Sequence, residues 1–173
     1  MRAVVKEQKA VETEIEFPDQ ASLGFAFALS PNLVLETDAN WTGWKTFDET
    51  PINFVSTDPT QRLPNSLITS NWDDAMNYRA GLRWTTSATT QWRFGYVYDE
   101  TPQPEEAVSP LLPDSDRNGI TIGYGHTGAI KTDLALMYLD FKDRTRAKTF
   151  AGESPFLGTY QTKALLFSAT IGF

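Results

Sequence analysis

Apolar and polar residues alternate with a period of two over most of this chain, and helical spacing of apolar residues is nearly absent. Because successive side chains of a strand point to opposite faces, this alternation predicts β-strands with one apolar face. The last stretch is the clearest example. Its apolar face carries Leu165, Phe167, Ala169, Ile171 and Phe173, and smaller or weakly polar residues occupy most of the other face.

Eight strands are predicted in this way, and their connections follow a rule. The strands centre on residues 11–17, 23–29, 33–44, 76–84, 92–99, 120–125, 134–141 and 164–173. From the second strand onward, short turns at 30–32, 85–90 and 126–131 alternate with long loops at 48–70, 100–117 and 142–159. Tight turns at one end and longer loops at the other are typical of outer-membrane β-barrels.

Charged residues keep to the face opposite the apolar stripe. They would meet water in a soluble sandwich and the lumen in a membrane barrel, so periodicity alone does not separate the two. Aromatic residues near the strand ends favour the membrane, because Trp and Tyr concentrate at lipid–water interfaces. We therefore predict an all-β fold, an antiparallel transmembrane β-barrel. The charged residues are Glu36, Asp38, Arg79, Arg83, Arg93 and Asp99, and the aromatic residues are Trp41, Trp84, Trp92, Tyr98, Tyr138 and Phe173.

Composition narrows the function classes. The chain has 173 residues, enough for one domain, and no cysteine, which excludes disulfides and thiolate metal sites. A net charge of -7 disfavours nucleic-acid binding, which needs a basic surface. The first residues lack the apolar segment of a signal peptide. Since a barrel must be exported, we expect the chain to be a piece of a longer protein.

Several motifs, taken in order, resemble the FadL-type long-chain fatty-acid transporters of bacterial outer membranes. The most specific follows that family's R-x-G-x-x-aromatic-D-x-S/T-P-x-P pattern in a late strand. The resemblance runs with few gaps from about Phe17 to Phe173. The motifs are Phe17-Pro18, Trp41-Thr-Gly-Trp44, Trp72-Asp-Asp-Ala75, Arg93-Phe-Gly95-Tyr-Val-Tyr98-Asp99-Glu-Thr101-Pro102-Gln-Pro104 and Leu112-Pro113-Asp-Ser-Asp116-Arg117.

This resemblance implies that the chain is the C-terminal part of a barrel, about its last eight strands, without the family's luminal hatch and early strands. It implies passive uptake of long-chain fatty acids or similar hydrophobic compounds, no catalysis and no cofactor. The implied partners are outer-membrane lipid, lipopolysaccharide and the barrel assembly machinery, which would read Phe173 as its C-terminal signal. One departure concerns the ligand: some members carry a basic residue just before the D-A strand start, and residues 66–70 contain none.

Candidate lumen-facing residues divide into charged and apolar groups. For the charged residues, we favour a cross-strand charge network over direct attraction of a fatty-acid carboxylate by Arg93 or a neighbour. For the apolar residues, a wall for acyl chains and a packing surface for the absent hatch are equally consistent with the sequence. The candidates are Trp44, Arg79, Arg93, Asp99, Met137, Leu139, Phe141 and Leu166.

Three other motifs have a structural interpretation that we favour. Residues 114–119 match the first half of a calcium loop, but Gly125 stands where its bidentate Glu belongs. We therefore predict that Asp116 and Arg117 pair locally and, with Asp114, order the loop mouth. Residues 123–128 match a dinucleotide fingerprint but lead into a strand rather than a helix. His126, the only histidine, is predicted in a short turn, away from any partner for catalysis.

Two alternatives of other classes remain at this point. One is a soluble β-sandwich or lipocalin-like lipid-binding module, which would fold without detergent. The other is a small structural barrel that anchors in the membrane without transport. Eight strands could close alone, but bulky inward residues such as Trp44 and Phe141 would crowd so narrow a barrel.

Overall fold

The computed structural model describes residues 10–55, 64–150 and 156–173, and nearly all of its regular structure is β. None of the helical segments among these residues is long and apolar enough to cross a membrane. Two short 3-10 turns, Trp44–Thr46 and Glu105–Ala107, lie in loops. The strands are β1 (Ala10–Thr13), β2 (Gln20–Ser30), β3 (Leu33–Thr42), β4 (Glu49–Val55), β5 (Ser66–Thr69), β6 (Ala75–Ser87), β7 (Thr90–Asp99), β8 (Arg117–Thr127), β9 (Lys131–Phe141), β10 (Arg144–Arg146), β11 (Gly158–Tyr160) and β12 (Lys163–Gly172).

The main sheet contains seven antiparallel strands in the order β12-β9-β8-β7-β6-β3-β2. Neighbours in this sheet are also consecutive among its strands, so it is an up-and-down meander. Short turns close β2–β3, β6–β7 and β8–β9 at one end, which we call the turn end. The longer connections meet at the opposite end, the loop end. The predicted alternation of short and long connections is therefore confirmed.

The first predicted strand does not join this sheet, so the count of about eight barrel strands becomes seven in the described part of the chain. Only Ala10–Thr13 is extended and paired, and its partner is β4 inside a loop. Ile15 and Phe17 lie beyond the strand and are exposed. As a result, β2 and β12 are the two edges of the main sheet, and β12 pairs with β9, the strand that precedes it in the sheet.

Two of the long loops contain strands that alternation did not reveal. The loop between β3 and β6 holds β4 and β5, which form a three-stranded sheet with β1 in the order β1-β4-β5. The last loop holds the small β10–β11 ladder, from Arg144↔Tyr160 to Arg146↔Gly158. Parts of both loops, residues 56–63 and 151–155, lie outside the described residues.

The hairpins at the turn end are longer and tighter than predicted. The β8–β9 ladder continues to Thr127↔Lys131, which places His126 inside β8 opposite Thr132 instead of in a turn. Similarly, the β6–β7 ladder continues to Ser87↔Thr90 across a register irregularity. The prediction for His126 was wrong because ladder hydrogen bonds extended both strands through weakly polar residues that carry no apolar signal.

The strand body has almost no buried core. Among the described residues, the only buried hydrophobic side chains are Ala75 and Val108, and both lie at the loop end. The apolar face of the main sheet is exposed along its whole height, including Phe25, Phe94, Ile120 and other large side chains. Exposed apolar patches of this extent mark a surface that another apolar phase covers.

Candidate functional site

The opposite, polar face of the main sheet is organised in cross-strand rows, because residues paired in register point to the same side. The register places all but one of the predicted lumen-facing residues on this one face. Its middle row runs through Ala26, Glu36, Gly81, Gly95, Thr121, Met137 and Leu166. The next row towards the loop end runs through Gly24, Asp38, Arg79, Val97, Gly119, Leu139 and Ala164.

Trp44 is the residue that the register does not place there. The third predicted strand was extended to residue 44, but β3 ends at Thr42, and Trp44 begins a 3-10 turn after Gly43. Its indole meets Trp72 edge-on, with ring centroids 5.1 Å apart, and Phe47 lies 4.8 Å from Trp72. Trp44 thus belongs to an aromatic cluster at the loop end, above the polar face rather than on it.

Three ion pairs cross the polar face between strands. Arg93 of β7 bonds Asp133 of β9, passing over the glycine at position 125 between them. Arg83 lies in the same cross-strand row as Arg93, and its pair with Glu36 is looser, at 3.8 Å between Nη2 and Oε1. The side chains of both pairs are about half exposed, so each pair contributes at most about 1 kcal/mol to stability.

The third pair is Arg117 with Asp99, at the loop end of the polar face. The Arg117 guanidinium also donates to Asp114 Oδ1 at 3.2 Å and lies 5.4 Å from the centroid of the Phe141 ring. The Arg117 side chain is 34% exposed, so the Arg117–Asp99 pair is more enclosed than the other two pairs. It lies where β7 ends and β8 begins. The cross-strand contacts of Asp99 and Arg93 therefore run to Arg117 and Asp133. The predicted pairing of Asp116 with Arg117 was wrong, because Arg117 pairs with Asp99 and Asp114, and Asp116 pairs with Lys142.

The fourth arginine of this face is bonded differently. Arg79 Nε donates to Asn77 Oδ1 at 2.7 Å, and no carboxylate among the described residues lies within ion-pair distance of it. Asp38 is its register partner on β3. The Asp38 carboxylate instead leans over Gly24 of β2, on the side away from Arg79.

Asp116 organises the loop end. It accepts the Thr101 backbone N–H at 3.0 Å, the Tyr98 hydroxyl at 3.2 Å and the Lys142 ammonium at 3.0 Å. Partial burial raises the pKa of this carboxyl, but the Thr101 N–H and the Lys142 ammonium outweigh burial and hold the pKa below its usual value. The same contact raises the pKa of Lys142.

Asp114 completes this part of the loop. It accepts the Thr101 hydroxyl at 2.6 Å in addition to Arg117. Every strong acceptor of the calcium-like segment therefore has a protein donor. In residues 10–55, 64–150 and 156–173, no group of three or more potential ligands is placed to hold a metal ion.

The second and third long loops are also fastened to each other, which sequence reasoning missed. The Arg144 guanidinium donates to the Gln103 carbonyl, and the Ala147 N–H donates to Glu105 Oε1 at 2.7 Å. Gln103 is itself buried and bonds the Ala107 carbonyl and the Asp114 N–H. The four prolines of residues 100–113 restrict this loop, but composition alone does not identify the loop that it contacts.

Four grooves follow one another from the loop end to the turn end. The outer mouth groove, about 420 Å³, lies between the loops and shares Trp72 and Leu112 with the inner mouth groove, about 280 Å³. The arginine groove, about 530 Å³, shares Asn77, Asp99 and Arg117 with the inner mouth groove. The turn-end groove, about 570 Å³, shares Glu36, Gly81, Gly95 and Thr121 with the arginine groove.

Glycines form the floor of the arginine groove and the turn-end groove. A Cβ atom on Gly81 would meet only the Phe94 carbonyl oxygen, at 3.9 Å, so the space above Gly81 is open. The walls are mixed, since charged side chains stand beside Met137 and Leu139. Phe141 stacks on Arg117, and Leu166 of β12 is the register partner of Met137 on β9. The geometry suits a solute with an apolar body that slides along the sheet.

Comparison with known proteins agrees with this architecture. The crystal structure of a Pseudomonas aeruginosa FadL homologue superposes with a TM-score of 0.70 at 20% identity, over 93% of this chain and 34% of that one. This chain therefore spans about a third of the length of that solved relative. A comparison with curated proteins gives no significant match.

A family model supplies the assignment. The model for outer membrane protein transport proteins (OMPP1/FadL/TodX) matches residues 2–173, essentially the whole chain. The exposed apolar face of the main sheet is accordingly its lipid-facing side, and the soluble-module alternative is not supported. This chain belongs to the OMPP1/FadL/TodX family of outer-membrane transport proteins.

Proposed function

We propose that this chain forms part of a larger outer-membrane barrel that supports passive uptake of long-chain fatty acids or similar hydrophobic compounds. The observation that carries this proposal is the unbroken succession of four grooves along the polar face, from the loop end to the turn end. Residues 1–173 would act as one unit, the C-terminal part of the barrel. The remaining strands would pair with the free edges of β2 and β12.

The walls of the grooves support an apolar substrate over a small polar one. A water-filled pore places polar side chains throughout its lumen. Here Trp72 and Leu112 line both mouth grooves, and Met137 and Leu139 line the arginine groove. Apolar contacts of this kind lower the free energy of a hydrophobic solute along the passage, and shallow sites in series let it leave each one.

The charged residues do not point to covalent chemistry. Asp99, Arg117, Arg93 and Asp133 already have partners in ion pairs across strands. The family is one of transport proteins, so the proposal needs no reaction step and no cofactor. Lipopolysaccharide and the barrel assembly machinery remain proposed partners, with Phe173 as the proposed assembly signal.

The test is to obstruct the passage without disturbing the sheet. Gly81→Trp fills the floor shared by the arginine and turn-end grooves, where the structure has open space. Ala169→Trp places the same side chain on the exposed lipid face of β12 and is the matched control. Binding of oleate to the detergent-folded chain is measured for both variants.

We expect Gly81→Trp to weaken oleate binding by at least about tenfold, a difference of about 1.4 kcal/mol in binding free energy. Ala169→Trp should bind like the unaltered chain. Equal binding by all three proteins would contradict the assignment of the grooves. Absence of binding by the unaltered chain would contradict the proposed function and favour a structural barrel.

A further inference from the structure

The four arginines of the polar face are not equivalent. Arg83, Arg93 and Arg117 each have a carboxylate partner on another strand. Arg79 has only the neutral Asn77 amide among the described residues. An ion-paired guanidinium offers little net attraction to a further anion, whereas one bonded only to an amide keeps its full charge for a ligand.

The position of Asp38 explains why Arg79 lacks an ion pair. Asp38 and Arg79 are direct register partners, so a pair between them would cost no change of backbone. The Asp38 carboxylate leans instead over Gly24, where the missing side chain leaves room for it. The other acids lining the arginine groove, Glu36 and Asp99, are neutralised by their own arginines.

An apolar patch adjoins Arg79 on the same row. A Cβ on Gly119 would lie 2.6 Å from Val97 Cγ1 and 2.8 Å from both Leu139 Cδ2 and Met137 Cε, so these three side chains converge over that glycine. Val97 is the direct cross-strand partner of Arg79, and Gly119 and Leu139 follow on the next two strands. At about 4.8 Å between strands, the patch extends about 5–15 Å from Arg79.

We propose that Arg79 binds the carboxylate of the ligand in the arginine groove, with the acyl chain lying across the Val97, Met137 and Leu139 patch. The occupant is an amphiphile with one carboxylate and a long unbranched apolar chain. This inference rests on the proposed function, and it assigns to Arg79 the head-group contact that was the less favoured interpretation of Arg93 or a neighbour. Arg93 is engaged by Asp133 and is therefore the natural control.

The experiment compares two probes that share a chain but differ in charge, oleate and oleyl alcohol, on the detergent-folded full chain. Four variants are measured with the unaltered protein: Arg79→Gln, Arg79→Lys, Arg93→Gln and Asp38→Asn. Arg79→Lys tests whether a point charge is enough. The far-ultraviolet circular dichroism of each variant, and its change in gel mobility on heating, report whether the sheet has formed.

We expect Arg79→Gln to weaken oleate binding by about tenfold, with oleyl alcohol unchanged, since only the charge-assisted contact is lost. Arg79→Lys should retain part of the preference for oleate, and Arg93→Gln should have a smaller effect than Arg79→Gln. Asp38→Asn should strengthen oleate binding about twofold to threefold, because Asp38 is the acid lining this groove that has no ion-pair partner among the described residues.

Two results would overturn the inference while leaving the proposed function intact. One is an equal loss of affinity for oleate and for oleyl alcohol in a folded Arg79→Gln variant. The other is an equal effect of Arg79→Gln and Arg93→Gln on oleate. If Arg79→Gln does not fold, an unchanged oleate affinity in Asp38→Asn overturns the inference instead. Failure of the unaltered chain to bind either probe overturns the inference and the proposed function together.

Discussion

The loop end and the strand body of this chain are built on different physical principles. At the loop end, Val108 is fully buried, Gln103 and Ser115 are buried, and Gln103 is satisfied by two hydrogen bonds to loop backbone groups. In the strand body, most large side chains of the apolar face are exposed, and those of the polar face are exposed or half-buried. The loop end therefore resembles a small soluble protein, whereas the strand body depends on lipid on one side and on lumen contents on the other.

This difference separates two sources of stability. The loop end contains its own packed groups, with aromatic contacts among Trp44, Phe47 and Trp72 and an acid, Asp116, that gathers three donors. The strand body is held by ladder hydrogen bonds, which need an apolar surrounding to exclude competing water. Changes in lipid should therefore act on the strands, and changes in charge should act first on the loops.

The largest effect should come from a charge on the lipid face of the strand body. Phe167 and Leu166 are neighbours in β12 near mid-height of the sheet and point to opposite faces. Phe167→Lys should destabilise the chain in lipid vesicles by about 2–4 kcal/mol, while Leu166→Lys should cost about 1 kcal/mol or less. Urea titration of the vesicle-inserted protein measures both. Equal costs would show that the two faces do not differ as described.

A smaller, local effect is expected at the loop end. Asp116→Ala removes the acceptor for the Thr101 N–H, the Tyr98 hydroxyl and the Lys142 ammonium, and should loosen the loop by about 1–2 kcal/mol. Limited proteolysis should cut residues 100–116 several times faster, while the urea midpoint of the sheet stays the same. A matching loss of sheet stability would mean that the two regions fold as one.

The smallest effect is the pH dependence of the loop end. The Asp116 pKa is lowered in the folded state, so its contribution is present above its ordinary value of 3.8 and is lost as pH falls through the folded pKa. The Lys142 pKa is raised above 10.5, so its contribution is lost only as pH rises through that higher value. Proteolysis of the loop should thus be flat between these limits and rise in acid. In Asp116→Asn the acid rise should shrink.

The sequence was sufficient for the strand body because both faces of each strand have a strong requirement. Lipid demands apolar residues and the lumen tolerates charge, so the alternation of Phe94, Tyr96 and Tyr98 with Arg93 and Asp99 fixes both the strand and its orientation. The seven strands of the main sheet, the pairing of β12 with β9 and the sharing of one face by the charged residues all follow from that rule.

The loop end followed no such rule, and there the predictions were incomplete. Residues 10–13 alternate like a barrel strand, yet they pair with β4, because alternation identifies a strand without identifying its partner. β4 itself contains Pro51 and is short, so it gives a weak signal. Trp44 continues the alternation of β3, but Gly43 breaks the strand and the aromatic cluster captures the indole.

The candidate site shows the same division. Sequence periodicity placed Arg79 and Arg93 on one face but had no means of telling which of them has a carboxylate partner. Arg93 has a partner because Asp133, two strands away, reaches it. Arg79 has none among the described residues because the Asp38 carboxylate leans over Gly24 instead. Such contacts depend on register across several strands and on the space left by glycines, which only the assembled sheet defines.

The central claim is that one face of the main sheet contacts lipid and the other lines an aqueous or solute-filled space. The chain has no cysteine, so single cysteines can be introduced without background. In β8, cysteines replacing residues 120–124 one at a time are probed with a membrane-impermeant maleimide in lipid vesicles. We predict reaction at 121 and 123 and protection at 120, 122 and 124. Uniform reaction, uniform protection or the opposite alternation would contradict the account.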